Sequence, residues 1–78
     1  MPDVSYKGYT IKVQSQLLPT GKWEPMAVVW WNEDIKNIGQ TISAKLQDTE
    51  ARANAVALER AKAWVDARES RNPPHSTL

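Results

Sequence analysis

Few residues of this chain have side chains suited to catalysis. The single histidine, His75, lies in a proline-rich stretch near the C-terminus, where nothing in the sequence would orient it as a base. The serines Ser5, Ser15 and Ser43 have no basic partner in the surrounding pattern. Cysteine is absent, which excludes thiolate nucleophiles, disulfides and cysteine-ligated metals. We therefore expect no catalytic residue and a protein that is not an enzyme.

The acidic pair Glu33 and Asp34 is the one cluster that resembles a metal site. With Asn32 it could hold a divalent cation, but the regular ligand spacing of a calcium loop is missing. Neither of the glycine-rich phosphate-binding patterns, GxxxxGK[ST] and GxGxxG, occurs in the chain. We expect no metal and no cofactor, and we interpret the acidic pair as a solvated surface.

The charge balance limits the classes of partner. Ten Lys and Arg residues against nine Asp and Glu give a net charge of +1, so there is little electrostatic attraction to nucleic acid or to an anionic membrane. No apolar run reaches the roughly 18 residues that a membrane span needs. The first residues have neither the basic start nor the apolar stretch of a signal peptide. The expected localisation is cytoplasmic.

Three strands are predicted before residue 48. From Tyr6 to Leu17, apolar and polar residues alternate, which is typical of a strand with one buried face. A second strand, Lys22–Asn32, is apolar on both sides and therefore central, although Pro25 cannot donate to a ladder and should interrupt the pairing. We expect a long loop over 32–39 and a third strand over Gln40–Gln47, with Leu46 facing inward.

A single helix is predicted to follow. Asp48 or Thr49 can cap its first amides, and no Gly or Pro interrupts residues 48–71. Its expected inward stripe comprises Ala51, Asn54, Ala55, Leu58, Ala61 and Val65, with Leu58 near the centre of the core. The fold class is therefore α+β: a three-stranded antiparallel β-meander with one C-terminal helix packed on one face (β-β-β-α). We expect one domain over residues 4–70 and a disordered tail over 71–78.

One face of this sheet has nothing predicted to cover it. Trp30 and Trp31 are neighbours in a strand, so their side chains point to opposite faces, and one of them must lie away from the helix. If odd-numbered residues face the helix, Trp30 lies on the open side. The candidate partner-binding residues are then Lys12, Met26, Val28, Trp30 and Lys45.

Three interpretations of this open face stand. It can be an ordinary solvated surface, as in many antiparallel sheets. It can bind a protein partner, including a second copy of the chain, because such an interface needs only an apolar patch with a polar rim. It can also bind single-stranded nucleic acid weakly, with bases stacking on tryptophan beside lysine. Because the basic footprint is thin, we favour a small non-catalytic module that binds protein over one that binds nucleic acid.

Short motifs give the chain a family resemblance. Tyr6-Lys7-Gly8-Tyr9-Thr10-Ile11 has the form Y-x-G-Y-x-I, Gly21 to Pro25 has the form G-x-W-x-P, and Ala61 to Asp66 has the form A-x-x-W-[IV]-D. Together they resemble a group of short uncharacterised bacterial proteins, which implies a bacterial origin and no known activity. The β-β-β-α order with Asp48-Thr49-Glu50-Ala51 at the helix start is more distantly similar to HicB-like antitoxin domains. Trp30-Trp31-Asn32-Glu33 stands where those domains have a Pro-Asp-Leu-Pro-Gly-Cys segment.

Overall fold

A computed structural model describes residues 3–71 of the chain. The strands are β1 (Val4–Tyr6), β2 (Tyr9–Val13), β3 (Gln16–Leu17), β4 (Trp23–Glu24), β5 (Met26–Glu33) and β6 (Lys36–Ser43), and the helix is α1 (Glu50–Arg71). Arg71, the first residue of the expected tail, is the last residue of α1. The rest of that tail, with His75, lies outside the described residues, and a single domain over residues 4–70 stays a prediction.

The expected α+β class with a C-terminal helix on an antiparallel sheet is confirmed, but the count of three strands is wrong. Residues 3–71 form six strands in two sheets, one with the order β1-β2-β5-β6 and a second made of β3 and β4. One extra strand arises because Lys7 and Gly8 both adopt positive φ, at 51° and 85°. This is the backbone of a type I′ hairpin turn. It places Tyr6 opposite Tyr9 and folds Val4–Tyr6 back onto β2.

Proline accounts for the division of the predicted second strand. Pro25 lies between β4 and β5, and it has no N–H to donate to a ladder. The pairing register nevertheless continues across the break: Val13 is opposite Ala27 in β2–β5, and Leu17 is opposite Trp23 in β3–β4. The second sheet is therefore an extension of the β2–β5 ladder, as the expected interruption at Pro25 implied.

The long loop predicted over 32–39 is instead the tip of a hairpin. Glu33 pairs with Lys36, and only Asp34 and Ile35 connect the two strands. Asp34 has φ of 58°, a conformation that aspartate tolerates better than most residues. As a result β6 begins at Lys36 and ends at Ser43, not at residues 40 and 47. Leu46, expected to face inward, lies beyond the strand and is exposed.

The core lies between one face of the four-stranded sheet and α1. Its buried side chains are Tyr9, Ile11, Val13, Ala27 and Val29 from the sheet and Ala57, Ala61 and Val65 from the helix. The predicted helix stripe is rotated from the observed one, because Ala53 is buried, Ala51 is exposed and Leu58 is only half-buried. Alanine lies on several sides of this helix, so the apolar pattern did not define which side faces the sheet.

The residues at the start of the helix cap its first turn and attach it to the sheet. Thr49 is the N-cap residue: its hydroxyl oxygen accepts a hydrogen bond from the Arg52 amide at 3.2 Å. Asp48 forms a salt bridge with Lys22, which lowers the pKa of that carboxyl through the hydrogen bond from the ammonium group. Trp23 and Gln47 exchange two backbone hydrogen bonds of 2.8 Å. These contacts hold the chain entering α1 beside β4.

Candidate functional site

The side chains of β5 alternate between the two faces of the sheet. Ala27 and Val29 are fully buried beneath the helix, whereas Met26 and Val28 are half-buried on the opposite side, where Trp30 is 40% exposed. Cross-strand pairing extends this side over the neighbouring strands. We call it the outer face and define it by Thr10, Lys12, Met26, Val28, Trp30, Thr41 and Ser43.

Four of the five residues predicted to bind a partner lie on the outer face. Lys12 is directly opposite Val28, and Thr41 is opposite Val28 on the other side. Trp30 and Met26 follow at alternate positions of the same strand. Lys45 does not join them, since β6 ends at Ser43 and Lys45 lies in the bend that follows. The prediction had extended the third strand too far.

The indole of Trp30 lies over Gly39, its cross-strand partner. A Cβ atom placed on Gly39 would be 2.6–2.8 Å from Cζ3, Cε3 and Cη2 of Trp30, so only glycine leaves room for the ring. An aromatic ring over a glycine in a neighbouring strand shields backbone that has no side chain of its own. Trp30 therefore covers β6 with part of its ring and exposes the rest to solvent.

A shallow polar groove adjoins Trp30 near the hairpin tips. It has a volume of about 340 Å³ and is lined by Gly8, Thr10, Trp30, Trp31, Asn32 and Asn37. Asn32 and Asn37 are directly opposite each other in the β5–β6 ladder. The groove gives the apolar residues of the outer face a rim of amide and hydroxyl groups.

Trp31 packs on the helix side with a second group of aromatic rings. Its ring centroid lies 5.6 Å from that of Tyr9 and 5.5 Å from that of Trp64. The guanidinium of Arg68 lies 4.6 Å from the Trp31 ring centroid, within the range of a cation–π interaction. The question of which tryptophan faces away from the helix is thus answered: Trp31 is part of the helix–sheet packing, and Trp30 is not.

Both tyrosines of the first hairpin bond to the end of the helix. The Tyr9 hydroxyl donates to Glu69 at 2.7 Å and accepts from Arg68 at 3.1 Å. Burial, followed by the bond to Glu69, raises the pKa of Tyr9. The Tyr6 hydroxyl donates to Asp66 at 2.9 Å, and this bond raises the pKa of Tyr6. These contacts dock the β1–β2 hairpin on α1.

Asp66 receives a second donor from the same hairpin. The Lys7 ammonium lies 2.7 Å from its carboxylate. Hydrogen bonds from Lys7 and Tyr6 lower the pKa of Asp66, and the bond to Asp66 raises the pKa of Lys7. Because both donors belong to the hairpin and the acceptor belongs to α1, we interpret the cluster as a structural contact.

Within residues 3–71, no cluster of three or more His, Cys, Asp or Glu residues is arranged to hold a metal ion. Glu33 and Asp34 lie at the exposed tip of the β5–β6 hairpin. Over the same described range, no helix has both the length and the apolar character needed to cross a bilayer.

Comparison with known proteins assigns the chain to a family. A family model described as a domain of unknown function, DUF6566, matches residues 2–78. The chain belongs to the DUF6566 family. No curated protein matches it significantly, and neither does any solved structure. Membership of DUF6566 is consistent with the expected short uncharacterised protein and assigns no activity.

The contribution of β6 to the outer face and its groove was not predicted from the sequence. Asn37 and Gly39 were interpreted as loop residues, yet one lines the groove and the other lies beneath Trp30. A partial signal was present, because Ile38 and Ile42 share a face if the strand extends back through Gly39, but polar Gln40 interrupts the alternation between them. Glycine and asparagine outweighed that signal, since both are common in turns.

Proposed function

We propose that this protein is a small non-catalytic module that binds a protein partner through its outer face. The observation that carries the proposal is the position of Trp30, Val28 and Met26 on β5, the strand next to β6, on the side away from α1. No element among residues 3–71 packs over them. Apolar surface that is exposed and rimmed by polar residues marks interaction sites in many proteins.

The chemistry of the outer face favours protein as the partner. Lys12 is the only charged residue in the set that defines it, and the neighbouring Thr10 and Thr41 supply a polar rim. Tryptophan offers a large rigid contact area, and such residues often supply much of the binding energy of an interface. Depletion of charge at the centre with polar groups around it matches the anatomy of protein interfaces.

Single-stranded nucleic acid is the alternative partner. The exposed ring of Trp30 and the ammonium of Lys12 are the two groups that would stack on a base and contact a phosphate. A titration with single-stranded DNA and RNA, followed by tryptophan fluorescence at low and moderate salt, separates the two functions. We expect no salt-sensitive quenching; strong quenching that weakens as salt rises would favour nucleic acid.

The protein-binding function is tested by selecting peptides from a displayed random library against the intact chain. We expect selected peptides to share apolar anchor residues, to bind the wild type and to lose binding to Val28→Lys. Ala55→Lys is the matched control, because it adds the same charge at an exposed position of the helix. Selection of nothing, or peptides that bind Val28→Lys as well as the control, would contradict the proposal.

A further inference from the structure

Strand β6 leaves an open edge on the four-stranded sheet. Among residues 3–71 it pairs only with β5, in the order β1-β2-β5-β6. The residues flanking a two-residue hairpin loop, here Glu33 and Lys36, exchange backbone hydrogen bonds, and bonded pairs then alternate along the ladder. The N–H and C=O groups of Asn37, Gly39, Thr41 and Ser43 consequently point away from the sheet. All four positions belong to the outer-face side of the sheet, since they are opposite Asn32, Trp30, Val28 and Met26.

This edge lacks the usual features that prevent strand pairing. Proteins protect exposed edges with charged residues, proline, bulges or very short strands. Strand β6 is eight residues long, contains no proline and has one charged residue, Lys36, at its start. The opposite edge, β1, is only three residues long. Of the two edges of the sheet, β6 is the one able to accept another strand.

We propose that β6 pairs antiparallel with β6 of a second copy, centred on Gly39. In this arrangement Gly39 lies opposite Gly39 of the partner copy, and Asn37 lies opposite Thr41 of the partner copy. Paired residues must lie on the same face of a two-fold symmetric sheet, and these three residues satisfy that condition. The dimer would then carry one continuous sheet with both helices on the same side.

The positions of charged residues and of Trp30 favour a second copy of the chain, over an unrelated extended peptide, as the partner that pairs with β6. Antiparallel pairing in this register places Ser43 of the partner copy opposite Ile35, so the partner chain carrying Lys45 leaves the pairing at the hairpin tip that holds Glu33 and Asp34. Each Trp30 ring lies over its own Gly39, so the Gly39-centred register places the two rings side by side. Their exposed portions would cover each other across the two-fold axis.

The register is tested by cysteine crosslinking, since the natural chain has no cysteine. We expect a chain with both Asn37→Cys and Thr41→Cys to oxidise to a covalent dimer, because these positions face each other across the proposed interface. Within one strand they are about 13 Å apart and cannot form a bond. Each single variant alone should stay monomeric on oxidation. Equal crosslinking by a single variant, or none by the double variant, would overturn the proposal.

A second measurement separates edge pairing from binding through the outer face. The sedimentation mass of the wild type should rise toward that of a dimer with concentration, and Thr41→Pro should abolish the rise. The N–H of Thr41 points away from β5 and donates no hydrogen bond to it. Proline at this position therefore leaves the β5–β6 ladder intact, and circular dichroism checks that the fold is kept. Val28→Lys should dimerise like the wild type. A monomeric wild type at all concentrations, or dimerisation lost in Val28→Lys and kept in Thr41→Pro, would contradict edge pairing.

Discussion

At the scale of single residues, the contact between Trp30 and Gly39 defines the outer face. We expect Gly39→Ala to destabilise the protein by about 1 kcal/mol, because the new methyl group displaces the ring that lies 2.6–2.8 Å from its position. In a Trp30→Ala background the same change should be neutral or stabilising, since alanine is less costly than glycine in a strand. Urea unfolding of the four proteins measures the difference. An equal cost in both backgrounds would show that the ring does not occupy this space.

The hydrogen bonds to Asp66 predict part of the pH dependence of stability. Its pKa in the folded protein is lowered from the ordinary 3.8 by Lys7 and Tyr6. The resulting stabilisation is present above the unfolded-state pKa and is lost as the pH falls through the folded-state value. We expect urea unfolding below about pH 4 to show a steeper loss of stability in the wild type than in Asp66→Asn.

Asp48→Asn is the matched control for that measurement. It removes the separate pair with Lys22, which lowers the pKa of Asp48 by the same mechanism, and leaves the hairpin contact unchanged. Its effect and that of Asp66→Asn should add, because the two pairs share no partner. An acid profile unchanged by Asp66→Asn would mean that the Lys7 and Tyr6 bonds do not persist in solution.

At the scale of elements, alanine sets how closely α1 approaches the sheet. Ala57 and Ala61 are fully buried against the core, so we expect Ala61→Leu to destabilise the fold by about 1–3 kcal/mol through overpacking. Ala55→Leu places the same side chain at an exposed position and should change stability by less than about 0.5 kcal/mol. Thermal or urea unfolding compares the two. A similar cost for both variants would contradict the assigned orientation of the helix.

The elements also show which features of the fold the sequence could predict. Strand β2 was predicted from its regular apolar–polar alternation. Helix α1 was predicted from a continuous run without Gly or Pro. The first turn depends on positive φ at both Lys7 and Gly8 and the second on positive φ at Asp34, and the alternation continues on either side of each turn. The outer face was predicted because adjacent Trp30 and Trp31 must diverge in any strand. Lys45 was misplaced because the end of β6 has no proline or glycine to mark it.

At the scale of the whole molecule, one helix covers one side of a four-stranded sheet. A chain of 78 residues has only enough apolar surface for a single thin core, and α1 supplies its entire second layer among residues 3–71. No element among these residues packs on the opposite side, which has Met26, Val28 and Trp30 at its centre. Binding there depends on side chains and pairing at the β6 edge depends on backbone groups, and Trp30 is the one side chain that both would contact. The two interactions are independently testable.

Methyl chemical shifts recorded during titration with a selected peptide test the binding face most directly. Val28 and Val29 are sequence neighbours on opposite faces, so each serves as the other's control. We expect the methyl signals of Val28, Met26 and Thr10 to shift with peptide concentration, while those of Val29 and Ala61 stay in place. Shifts confined to Val29 and the helix alanines, with Val28 unchanged, would contradict binding through the outer face.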